Sequence, residues 1–436
     1  MRAVWIRALW GFRSGGRAWM VLVVLIALAA GAVMAAAAGA RRTETAYPRF
    51  VAAQRAFDIG VGGFPRGVDA DQARARIVGL PQVAAWSRLD YVARGAVLPS
   101  GRIVTAPELV PEGDLLGRTG LTVNRFKVVA GRLFDPRASG EAVIDFSTAA
   151  RLRLHAGSVV RLDLGEATAH HRASEPVRIV GLVAAPGLFP AIGVTATGQL
   201  FLSPAFMRHF GVLPLDDPIV LLRLRHGGGD VPAFLRDLQA AGLAGADILF
   251  AGDLTVGIQR SIRYEVLALW ALAGLVAVTA WATLGQSLAR QVSLDSTDFA
   301  ILRAIGMSPR QLFVLGMVRV TVVATAGAVL AVPSAWLLSW WTPVGLARVA
   351  EPTPGIAADP LVWVLGFLAT VLGLVAAGAF PAWRAAVATP SRPGAMTSEH
   401  PSRVAAALGR VSRSGAAAVG VRMALQTGRG NAAVPV

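Results

Sequence analysis

Four stretches of the chain run without a charged side chain, at residues 18–40, 266–288, 320–341 and 361–383. A bilayer core needs roughly 20 apolar helical residues, so each stretch is expected to be a transmembrane helix. The long segment between the first two has a different rhythm. Alternating apolar positions at 142–145, 159–164, 177–183 and 219–224 predict strands, and the spacing at 147–154 and 231–241 predicts helices. Gly131, Gly140 and Gly157 fit turns between them, and Gly227 to Gly229 read as a flexible loop. The expected fold class is a polytopic α-helical membrane protein with four transmembrane helices and a large mixed α+β extracytoplasmic domain between helices 1 and 2.

Signals at the ends support this division. Asp359 and Pro360 offer an N-cap and a first-turn proline to the fourth span, and Arg17 with Arg41 and Arg42 brackets the first. The first stretch contains small-residue cleavage patterns in MAAAAGA, the mark of a removable leader. Its length exceeds the usual leader core of about 7 to 15 residues, which favours a retained helix. Gly366, Thr370, Gly373 and Ala377 form a small-residue stripe for helix packing on the fourth span. Pro333 predicts a bend in the third, structural or gating.

Composition sets the orientation. The 436 residues are 54% hydrophobic and 16% charged, yet the formal net charge is +16, and Lys127 is the only lysine. About twelve of those charges fall on residues 1–17, 289–319 and 384–436, as arginines flanking the spans. By the positive-inside rule these segments are cytoplasmic, with residues 41–265 and the loop 342–360 outside. The protein is therefore expected in the cell membrane, multi-pass, with both termini cytoplasmic. The same distribution removes support for a nucleic-acid partner, which would want basic residues clustered on one folded face with stacking aromatics.

The span interiors hold no ionisable residue, which disfavours a proton or ion pathway. Neither G-x-S-x-G nor H-E-x-x-H occurs, so no enzyme is expected. His170 and His171 are adjacent, so their side chains diverge, and no carboxylate cluster accompanies them. Zero cysteines exclude disulfides and thiolate sites.

The stretch DSTDFAILRAIGMSPRQLFVLG, residues 295–316, is the most informative. As a helix it places Phe299, Leu302 and Ile305 on one apolar face, with Asp298 and Arg303 toward the other. Gly306 then stops it, and Ser308, Pro309 and Gln311 form a capping box that restarts a helix into the third span. A plain interfacial helix without a partner has the same periodicity. Residues 1–17, with Val4, Trp5, Ala8, Leu9 and Phe12 at helical spacing, read as an amphipathic elbow helix.

ILRAIGMSPRQL resembles the hallmark of the FtsX-like permease family, membrane subunits of ABC systems of the macrolide-exporter and lipoprotein-release type. The pattern's acidic residue falls at Asp298, where Glu is more usual, its core at Leu302, Arg303, Ala304, Ile305 and Gly306, and its glutamine at Gln311. PAWRAAVATPSRPGA after the last span and VVAGRLFDPRASGEAVIDFSTAARLRLHAGSVVRL and GQLFLSPAF in the outer segment are similar to the family as well. The resemblance implies that residues 295–307, with Asp298, Phe299, Ile301, Leu302, Arg303, Ala304, Ile305 and Gly306, form a coupling helix for a separate cytoplasmic ABC ATPase subunit.

No cofactor is expected in this chain, because ATP would be bound by that partner, and Lys127 lies outside any G-x-x-x-x-G-K-[ST] motif. Implied further partners are the lipid bilayer and a second permease unit, supplied by a homodimer or a second half-chain. The tail from Gly420 resembles the opening of another such unit, as in two-unit chains. The competing function is a cell-division-type regulator whose outer domain activates a cell-wall hydrolase.

Overall fold

The computed structural model describes residues 16–65, 68–164, 174–189, 197–210, 218–295 and 299–387. Among the described residues, four helices are long and apolar enough to cross a membrane: α1 (Gly16–Ala53), α6 (Ala251–Asp295), α8 (Pro309–Leu338) and α10 (Pro360–Val387). Between α1 and α6 lie twelve strands and the short helices α2 (Ala70–Val78), α3 (Phe146–Leu152), α4 (Pro204–Phe210) and α5 (Val231–Ala240). Two further short helices, α7 (Phe299–Ala304) and α9 (Gly345–Ala350), occupy the connections between the later spans.

Helices α1 and α6 are longer than their apolar stretches. With 38 and 45 residues they extend roughly 57 and 68 Å, against about 30 Å of bilayer hydrocarbon. The helix in α1 continues past Arg41 and Arg42 and contains Pro48, and in α6 it begins fourteen residues ahead of Glu265. The arginine pair therefore marks the end of hydrophobicity and not the end of the helix.

The chain divides into two compact units. One draws its described residues from Met1–Met34, Gly274–Ala335 and Asp359–Val436, the other from Ala35–Ala273 and Trp336–Ala358. In the first, α8 supplies the central face: Val320, Val323 and Ala324 pack with Trp19, Leu22 and Ile26 of α1, Leu284 and Leu288 of α6, and Leu374 and Ala382 of α10. Glycines permit the close approach. A Cβ at Gly327 would stand 2.5 Å from Ile26 Cγ2, and one at Gly366 2.4 Å from Met34 Cγ.

The small-residue stripe of α10 needs correction. Leu374, Gly378, Ala382 and Ala386 are the buried row, at four-residue spacing, whereas Gly373 has nothing within 4 Å of where a Cβ would be. Of the expected stripe, Gly366 makes a close contact and Thr370 turns its hydroxyl onto the Gly366 carbonyl at 2.7 Å. Pro333 sits inside α8 without interrupting it. The outward faces, with Leu275, Val278 and Trp281 on α6 and Leu365, Leu368 and Leu372 on α10, are apolar and exposed, as lipid-facing surfaces are. Asp359 caps α10, accepting from the Val362 N–H at 3.2 Å.

The second unit holds a twelve-stranded sheet: β1 (Ile59–Gly62), β2 (Val83–Tyr91), β3 (Gly95–Val97), β4 (Ile103–Thr105), β5 (Val110–Gly113), β6 (Lys127–Gly131), β7 (Glu141–Asp145), β8 (Val159–Asp163), β9 (Ser174–Ala184), β10 (Gln199–Leu202), β11 (Ile219–Leu224) and β12 (Asp247–Phe250). The order is β12-β1-β11-β2-β5-β10-β7-β9-β8-β3-β4, with β6 beside β9. At one end, β12, β1, β11 and β2 are antiparallel and covered by α2 and α5. That is a β-α-β-β-α-β unit split by everything from β3 to α4. The inserted part has its own core, around Ile144, Leu162, Ile179, Leu202 and Phe206.

The alternating stretches became β7, β8, β9 and β11, and the two periodic stretches became α3 and α5. Strands β1 and β5 escape a period-2 reading because all four residues of each are buried. Gly227 to Gly229 form a 3-10 turn with Asp230 that leads into α5. His170 and His171, residues 1–15 of the elbow segment, Asp298 and the tail beyond Val387 lie outside the described residues.

Candidate functional site

The turn between the second and third spans is built by two local devices. In α7, the Gly306 N–H donates to the Arg303 carbonyl at 2.9 Å and the Met307 N–H to the Leu302 carbonyl at 3.0 Å. Those bonds make a Schellman end, and Gly306 sits at φ +100°, a region open to glycine at little cost. Leu302 and Met307, both partly buried in one apolar cluster, supply the contact that accompanies such an end. The next helix opens with the expected capping box: Ser308 N–H donates to Gln311 Oε1 at 2.9 Å, and Gln311 N–H to Ser308 Oγ at 3.4 Å. Pro309 is the first residue of α8.

The apolar face of this segment differs from the periodic expectation. Phe299 is 6% exposed, against Leu312 and Leu315 of α8 and Ala386 of α10, and Leu302 packs beside it. The Arg303 guanidinium donates to the Ala386 carbonyl. Ile305 is 76% exposed and stands outside with Ile301, at 63%. Six helical residues rotate by about 600°, which leaves position 305 roughly 120° from Phe299 and about 40° from Ile301. The outward surface is thus Ile301, Ala304 and Ile305, flanked by exposed Gly306, Ser308, Pro309 and Gln311.

The connection between the third and fourth spans, expected as a plain outer loop, is an ordered part of the second unit. Glu351 is fully buried. Arg49 reaches its carboxylate with both terminal nitrogens, each at 2.9 Å, and Arg42 Nε lies 3.2 Å from Oε2. Lys127 Nζ donates to the carbonyls of Val349 and Glu351 at 2.6 and 2.7 Å. Burial lowers the pKa of this ammonium, and the Glu351 charge partly offsets that. At the other end of α9, Glu265 accepts from the Leu346 N–H at 2.9 Å. The sequence reading gave Arg42 to a membrane boundary and missed this cluster. A usable signal was present: Arg42 and Arg49 lie two turns apart on one helix face, and Glu351 is the single carboxylate among residues 342–358.

A second buried carboxyl lies within the sheet. Glu112 on β5 is 2% exposed and its Oε1 has no hydrogen-bond partner among the described residues. Burial, reinforced by the nearby Asp145 charge, pushes its pKa up to about 8. Asp145 caps α3 through the Ser147 and Thr148 N–H groups at 3.0 and 2.8 Å. Among the described residues, no three His, Cys, Asp or Glu side chains are grouped to hold a metal ion.

Residues 270–390 match the family FtsX-like permease C-terminal. A comparison with curated proteins finds no match. Among solved structures, the crystal structure of the periplasmic region of MacB from Actinobacillus actinomycetemcomitans is 11% identical, with a TM-score of 0.30, over 48% of this chain and 95% of that one. The matched residues take in the last three spans together with the capped turn between α6 and α8. The chain is a multi-pass membrane protein whose residues 270–390 are similar to the FtsX-like permease C-terminal family.

Proposed function

We propose that this chain is the membrane permease subunit of an ABC transporter, coupling ATP hydrolysis in a separate cytoplasmic subunit to transport or mechanical work at the outer domain. The family match over residues 270–390 carries the reading. The capped turn supports the coupling role: α7 is held from inside by Phe299 and Arg303 and turns Ile301, Ala304 and Ile305 outward, where an apolar groove of the ATPase would receive them. The distribution of arginine supports a cytoplasmic position for this turn and an outer position for the sheet. Since Lys127 is the only lysine and lies outside a Walker motif, the nucleotide would be bound by the partner.

In this reading, α1 and α6 carry motion because each runs unbroken beyond its apolar stretch. The test is co-purification of the full chain with its ATPase after Ile301→Asp and Ile305→Asp. Lost binding by a chain that still folds is the expected result. Undiminished binding would sink the proposed docking surface.

A further inference from the structure

Helix α9 is six residues long, GLARVA, far below the length at which a helix is stable alone in water. Its N-cap, Val344, makes no side-chain cap bond. Thr353 donates to Glu351 Oε1 from within the segment, and the remaining fastenings of α9 come from elsewhere in the second unit. Glu265 on α6 takes the Leu346 N–H, and the Cβ that Gly345 lacks would lie 2.2 Å from Glu265 Oε1. Lys127 on β6 takes the two carbonyls at the far end. Arg42 on α1 binds the Glu351 carboxylate and also the carbonyls of Thr342, Thr353 and Gly355, at 3.1, 2.8 and 2.7 Å. Beneath these bonds Ala347 and Ala350, both fully buried, pack with Tyr47 and Phe50 of α1, Ile258 and Ile262 of α6, and Phe189 after β9.

Three separate elements thus converge on one short segment, whose local bonds, from Thr353 to Glu351 and from Ala357 to Ser339, are few beside them. We propose that residues 342–358 are a keystone: with Glu351 as the pin, they join the adjoining parts of α1 and α6 to strand β6, so that these three elements loosen or move together. This goes beyond the permease reading and does not depend on it, since all the residues involved belong to one compact unit. A charge pin suits the task. Glu351 is fully buried and Arg42 only 11% exposed, so removing either leaves the other's charge largely uncompensated.

Hydrogen exchange on the full-length chain in detergent or nanodiscs tests the idea, comparing wild type with Glu351→Gln and Lys127→Met. Both variants are expected to raise exchange by about tenfold or more in 345–351 and, in the same sample, in 127–131 and in the 42–53 part of α1. Peptides from β11 should stay unchanged. If Glu351→Gln unfolds the whole unit, so that β11 exchanges as well, Lys127→Met decides, because it leaves the Arg42, Arg49 and Glu351 group intact. Faster exchange confined to 345–351, or none at all, overturns the proposal.

Discussion

The two short connections flanking the third span hold their shapes by opposite means. The α7 turn is closed by its own neighbours in sequence, through the Schellman end at Gly306 and the Ser308–Gln311 box. Segment 342–358 closes locally only where Thr353 donates to Glu351 Oε1 and Ala357 to Ser339, and takes the rest of its shape from residues 42, 49, 127 and 265. The first buries a phenylalanine and leaves two isoleucines outside, while the second buries a carboxylate and two alanines. A locally capped turn can present a surface to an outside partner without losing its form. A segment ordered mainly by distant groups responds to what those groups do.

Breaking the pin should have the largest effect. Glu351→Ala leaves Arg42 and Arg49 facing each other with no carboxylate, and about 4 kcal/mol of the second unit's stability should be lost, read by denaturant titration of the full chain. A neutral Glu351→Ala would remove the contrast. Phe299→Ala comes next. Truncating this buried ring should cost about 3 kcal/mol and detach α7 from α8, seen as faster exchange across 299–307.

Glu112 probes whether burial of a carboxylate needs partners. Its folded pKa is raised to about 8 from the ordinary glutamate value of 4.5, so between the two the folded state holds a proton that the unfolded chain releases. Its stabilising contribution is full below the unfolded pKa and is lost as pH rises through about 8. Stability should fall by up to about 1.4 kcal/mol per pH unit across that window, and Glu112→Gln should flatten the slope. An unchanged slope in the variant would assign the pH dependence to other groups.

Smaller effects test the local caps. Ser308→Ala should cost about 1 kcal/mol, as loss of an N-cap does, and Gly306→Ala a similar amount for the strain at φ +100°. Smallest of all, Ile301→Asp should change folding stability by no more than about 0.5 kcal/mol, since the side chain is exposed. A large stability loss would place Ile301 inside the fold and remove it from the docking surface.

Much of the fold was legible because its signals are local or periodic. Charge-free runs show where a helix can meet hydrocarbon, and β7, β8, β9 and β11 keep polar or exposed positions that reveal the alternation. The uniformly buried β1 and β5 show no such contrast, and their pairing with β11, β12, β2 and β10 depends on residues far along the chain. At the α7 turn, both caps could be read from residue types, but the outward face could not. Periodicity orders side chains around an axis without saying which side meets α8 and α10, and Phe299 rather than Ile305 took the inner position.

By itself the sequence determined the number and approximate place of the membrane helices, the mixed class of the segment between the first two, and the capped break at Gly306 and Ser308. Each of these is set by interactions within a few residues or by transfer from water to lipid. Only the tertiary structure decided that Arg42 and Arg49 share the buried Glu351 carboxylate, that Lys127 secures a helix more than two hundred residues away, and that the loop of the last two spans belongs with the sheet. A buried charge is tolerable only beside its partner, and which partner that is depends on the folded path of the chain.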